Sequence, residues 1–86
     1  MGRFERITDD ESGLVFVFKY DATDPTQLHI WVRHLKEPED AIDAWFNGTN
    51  TWNETNRRFE AIDGPTTVTW YWLDQPTTVM TTSCYD

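Results

Sequence analysis

One cysteine, Cys84, stands among the 86 residues, so no disulfide can form within the chain. Lysine is almost as scarce: Lys19 and Lys36 are the only two, and all seven basic side chains face 15 acidic ones for a net charge of −8. From Gly64 to Asp86 there is no Lys or Arg. A nucleic-acid binder displaces phosphate counterions with clustered cations, so this balance gives a field of the wrong sign for that work. Four glycines and four prolines are too few for a collagen-like or low-complexity chain. No apolar run is long enough for a transmembrane helix, and no repeat period is visible. The spacings His-x-His and Cys-x-x-Cys are missing, and neither a metal nor a cofactor is expected. The start, Met-Gly-Arg-Phe-Glu-Arg, runs into Asp9, Asp10 and Glu11 instead of a secretory apolar segment, which points to the cytoplasm. Asn47-Gly-Thr49 and Asn53-Glu-Thr55 then read as turn residues, not glycosylation sites.

Aromatic residues, by contrast, are plentiful. They make up 15% of the chain, with five Trp, which separates it from disordered acidic tails. A length of 86 residues supports a single domain, with residues 1–12 read as a flexible N-terminal segment. Leu14 to Tyr20 (LVFVFKY) is a dense β-branched and aromatic run, with Leu14, Phe16 and Phe18 on its inner face. Gln27 to His34 (QLHIWVRH) alternates, Leu28, Ile30 and Val32 against His29, Trp31 and Arg33, and predicts a second strand. Pro38 to Asn47 (PEDAIDAWFN) predicts the one helix. Pro38 suits the first position, Glu39 and Asp40 the positive end of the dipole, and Gly48 the position after the end. Its apolar stripe is Ala41, Ile42, Trp45 and Phe46. Asn47 to Asn56 reads as an exposed loop or an irregular strand around Trp52. Arg57–Ile62, Thr66–Leu73 and Thr77–Tyr85 then form a meander turning at Asp63-Gly64 and Asp74-Gln75-Pro76. The fold expected is α+β: a twisted antiparallel sheet of about five strands, in the order ββαβββ, with one helix on one face.

Four groups of residues invite a functional reading. His29, Arg33 and His34 bring a base and a cation together, and with a hydroxyl from Thr82 or Tyr85 they fit metal-independent RNA cleavage. The order of elements, His and Arg in a strand, then a helix, then strands ending in a Thr-rich one, is similar to small RNases of the barnase and RelE type over about the last 60 residues. A basic groove and a catalytic Glu, which that resemblance would imply, have no counterpart here. Trp70, Tyr71 and Trp72 divide between two faces of a strand, the two Trp packing on Trp45 and Phe46 in the plainer reading. Cys84 reads as a small buried apolar residue.

The fourth group carries the main expectation. Acidic residues recur at Asp9, Asp10 and Glu11, around the helix at Glu37, Glu39, Asp40 and Asp43, and again at Glu54. Glu39 and Asp43 are four apart, and like charges at that spacing are mildly destabilising. A row of carboxylates flanked by exposed aromatics fits a protein that binds the basic surface of a partner. The expected partner is a nuclease or CRISPR effector, and the expected class is a nucleic-acid-mimicking inhibitor of the anti-CRISPR, viral-antagonist or immunity type. The residues assigned to it are Glu37, Glu39, Asp40, Asp43, Glu54, Trp31, Trp52 and Tyr85. No catalytic residue is assigned, and neither direct nucleic-acid contact nor a membrane is expected. The same composition also fits halophilic adaptation, or an accessory subunit that forms a homodimer through an open sheet edge.

Overall fold

The structure is a computed structural model and describes residues 3–86. Six strands form one mixed sheet: β1 (Phe4–Thr8), β2 (Val15–Lys19), β3 (Thr49–Asn53), β4 (Arg58–Asp63), β5 (Thr66–Asp74) and β6 (Thr78–Tyr85). Two helices, α1 (His29–His34) and α2 (Pro38–Asn47), fall between β2 and β3. The strand order is β1-β2-β6-β5-β4-β3. All neighbours are antiparallel except β2 and β6, which run parallel with Phe16 opposite Val79.

Chain chemistry explains why β2 lies inside the sheet. Phe16, Val17 and Phe18 are all buried, so the strand is covered on both faces. Phe16 and Phe18 face the helices. Val17 faces the other way, under Phe4, Arg6, Tyr71, Leu73 and Met80. β1 (FERIT) and β3 (TNTWN), which carry few apolar residues, take the two edges.

An aromatic seam joins α2 to the sheet. Trp45 lies edge-on to Phe16, Trp70 and Trp72 at centroid distances of 5.4, 5.3 and 6.3 Å. Phe59 stacks on Trp70 at 4.6 Å and meets Trp52 at 4.9 Å. Trp70 and Trp72 thus lie on the helix side against Trp45, and Phe46 joins them through Trp45 and Phe16. Ala41 and Ala44 supply the close approach, both being buried. Gly48 closes the junction of α2 and β3, where a Cβ would stand 2.6 Å from the Ala44 carbonyl oxygen and 2.9 Å from the Ile62 backbone. Gly48→Ala is expected to cost about 1–3 kcal/mol by overpacking, read as a lower urea midpoint at unchanged slope.

The structure departs from the expected fold in the make-up of the sheet and at residues 29–34, and it adds detail in two further segments. The sheet has six strands, not about five, and it is mixed because β2 pairs with β6 in parallel. Residues 4–8, within the segment read as flexible, form the edge strand β1. Residues 49–53, read as loop or irregular strand, form the opposite edge. Residues 29–34 form a helix instead of a strand, so two helices are present. That last change also removes the element order shared with the small RNases, since His29 and Arg33 no longer lie in a strand. α2 keeps the expected bounds, with Pro38 first and Gly48 after its end.

Candidate partner-binding surface

Asp21 determines the shape of the α1 region. Its side chain is fully buried, and its Oδ2 accepts from the Thr23 hydroxyl, from Thr23 N at 2.9 Å and from Asp24 N at 3.1 Å. Its Oδ1 meets His29 Nδ1 at 3.2 Å and Arg33 Nε at 3.5 Å. Side chains four apart start about 6 Å from each other on a helix but about 13 Å apart along a strand, so their sharing one carboxylate oxygen favours the helical period over the alternating one. The Thr23 hydroxyl, with the neighbouring backbone N–H groups and His29, outweighs burial and holds the Asp21 carboxyl well below the usual range. A depressed folded value means that the carboxylate stabilises the fold above the unfolded pKa near 3.9, and that this stability fades as pH falls below it. Asp21→Asn is therefore expected to melt at a lower temperature than the wild type at pH 7, with the gap narrowing below about pH 4. A gap independent of pH in thermal melts would contradict this.

The catalytic arrangement considered from sequence is not brought together. His29 and Arg33 are engaged by Asp21, while the Thr82 hydroxyl donates to the Thr69 carbonyl at 2.9 Å. Tyr85 lies beside His34, with ring centroids 5.7 Å apart. Cys84 is buried, and desolvation pushes its thiol up to about 11, the wrong direction for a nucleophile at neutral pH. Among the described residues no group of three His, Cys, Asp or Glu could hold a metal ion. No described helix is long and apolar enough to cross a membrane.

The acidic residues are better organised. A groove runs between the β1–β2 turn and α2, in two overlapping hollows of about 410 and 460 Å³. Asp9, Asp10 and Glu11 line one side, Glu39 and Asp43 the other, and no described cation lines it. Ile7, Ile42 and Phe46 add apolar surface to its lining, the last 45% exposed. The turn is held in shape by Asp9, whose Oδ2 accepts from Ser12 N at 2.9 Å and from Ser12 Oγ at 2.7 Å. Those bonds, the hydroxyl first, lower the Asp9 pKa and keep it charged.

Of the eight residues assigned from sequence, Glu39 and Asp43 fall in this groove. Asp40 caps α2, its Oδ2 accepting from Glu37 N at 2.9 Å. Glu37 lies with Trp31 at a shallow hollow beside Pro38. Glu54 accepts from Trp52 Nε1 at 2.6 Å, on the β3 edge. Tyr85 lines a cleft with Arg58, Glu60 and Thr69 on the far side of the sheet. The eight therefore occupy separate places. Asp9, Asp10 and Glu11 complete the groove but were not assigned to it, because the hairpin that folds them back toward α2 depends on β1, which reads weakly as a strand. Asp21 was missed altogether, an acid in a turn whose burial only the fold reveals.

The cations lie elsewhere. Arg3 stands over the Tyr20 ring and Arg58 over the Tyr71 ring, each at 5.1 Å. Lys36 pairs with Asp86 at 2.8 Å, and Arg33 is drawn to Asp21. Comparison with family models, with curated proteins and with solved structures finds no match for this chain.

Proposed function

We infer that this protein is a small acidic binding module that docks onto the basic surface of a nucleic-acid-handling protein and obstructs nucleic-acid access there. The observation that carries the reading is the groove: five carboxylates from two elements beside the apolar side chains of Ile7, Ile42 and Phe46, with no described cation among them. Carboxylates on a rigid hairpin and helix present fixed negative charge, much as a phosphate backbone does to the Lys and Arg of a nuclease. Ile42 and Phe46 add the apolar contact that charge alone does not supply. Electrostatic attraction would speed encounter with a cationic partner, and the association would weaken as salt rises.

The test is displacement. Titrated into basic nucleases or CRISPR effectors holding labelled nucleic acid, the protein should release the label from its partner near one equivalent, less effectively at high salt. Retention of the label across such a panel would contradict the reading.

A further inference from the structure

The two faces of the sheet differ in charge. On the face away from the helices, the strand registers align Arg6, Val17, Met80 and Tyr71 across four neighbouring strands, and Arg58 lies over the Tyr71 ring from the next. Lys19 projects from the same face, opposite Phe4. Strands on this face thus carry Arg6, Lys19 and Arg58 against two carboxylates, Glu60 and, past the irregularity at the end of β5, Asp74, in a chain whose net charge is −8. Between the cations lies a pocket of about 180 Å³ lined by Phe4, Arg6, Val17, Tyr71, Leu73 and Met80. Phe4 and Leu73 at its rim are 54% and 49% exposed. No helix covers it.

The groove on the helix side has the complementary character: carboxylates flanking a half-exposed phenyl ring. We propose that the open sheet face of one molecule receives the acidic groove of a second copy, Phe46 and Ile42 meeting Phe4 and Leu73 while Glu39 and Asp43 meet Arg6 and Lys19. The occupant is argued from charge complementarity, both halves of which lie on the same chain. Because the two patches are different surfaces, the contact is head-to-tail and leaves a free groove at one end and a free face at the other, so it propagates. The proposal rests on reading the groove as a docking surface and adds a regulation to it: self-association occupies the site that a basic partner would take, so partner binding dissolves the assembly.

Sedimentation velocity of the full chain tests this. The mean sedimentation coefficient should rise with protein concentration at about 20 mM NaCl and collapse to the monomer value at about 500 mM, as screening shortens the range of the charges. Arg6→Glu with Lys19→Glu, and separately Glu39→Lys with Asp43→Lys, should each give monomers at every concentration. Mixing the two variants should restore association, although both remain net negative. Neutralising Glu39→Gln with Asp43→Asn should weaken assembly, which keeps the test valid should the reversals disturb folding, and Glu54→Lys beside the β3 edge should leave it unchanged.

A wild type that stays monomeric at low salt overturns the proposal. So does association that survives high salt or is abolished by Glu54→Lys, which would place the contact at the strand edge. Binding of an acidic peptide or a single-stranded oligonucleotide to the open face of a monomeric wild type also overturns it. The variant Arg6→Glu with Lys19→Glu keeps the groove intact and should still displace nucleic acid from a basic partner. A wild type that does so while remaining monomeric therefore removes this inference alone.

Discussion

Replacing Asp43 and Glu11 together by lysine is expected to weaken association with a cationic partner by about 100-fold at low salt, while leaving the protein as stable as before or slightly more so. The two positions face each other across the groove, one on α2 and one in the β1–β2 turn. Reversal there changes the local charge by four, and steering of this kind accounts for roughly 10- to 1,000-fold in association rate. Stability should not suffer. Asp43 is exposed on α2, and Asp43→Lys replaces a like-charge neighbour of Glu39 with an opposite one, worth about 0.2–0.5 kcal/mol. Binding and folding are thereby separated in one variant. Surface plasmon resonance at two salt concentrations, alongside urea unfolding, measures both. An undiminished association rate would show that the groove is not the docking surface.

The second large effect lies in the seam beneath α2. Trp70→Ala should cost about 3–5 kcal/mol, against a total stability of roughly 4–13 kcal/mol for a domain of this length. Trp70 is 4% exposed and touches the rings of Phe59, Trp45 and Trp72. Its Nε1 also donates to Asn50 Oδ1 at 2.8 Å, tying β5 to the edge strand across β4. Trp70→Phe keeps a ring in the stack and gives up that bond, so a smaller loss of about 1 kcal/mol is expected beyond the lost area. Urea unfolding followed by far-UV circular dichroism distinguishes the two. A loss below about 1.5 kcal/mol for Trp70→Ala would mean that the seam repacks and does not hold the sheet to the helix.

How far the fold could be read from the chain depended on whether the deciding interaction was local. α2 was legible to its bounds because its signals, Pro38, Glu39, Asp40 and Gly48, act within a turn of where they stand. The β4–β5 hairpin followed from Asp63-Gly64 in the same way, with Gly64 at φ +57. α1 was misread because QLHIWVRH fits both periods over so short a stretch, and the choice is made by Asp21, eight residues before His29. The parallel pairing of β2 with β6 joins segments about sixty residues apart. β2 announced its burial through Phe16, Val17 and Phe18, but not its partner. For the candidate site, the helix half of the groove was visible as the Glu39 and Asp43 spacing. The other half needed β1 to fold back beside β2 and bring Asp9–Glu11 toward α2. Grouping Trp31, Trp52 and Tyr85 with those acids assumed one exposed face, whereas two edges and two faces divide them.

Amide chemical-shift mapping of the labelled protein, titrated with a Lys- and Arg-rich peptide bearing one central Leu, tests the central claim most directly. Shifts are expected at Asp9–Ser12 and along the Glu39–Phe46 stretch of α2, fading as NaCl is raised from about 50 to about 500 mM, with changes on the open sheet face limited to those that dilution of the free protein also produces. Shifts over the β3 edge, or shifts indifferent to salt, would contradict it.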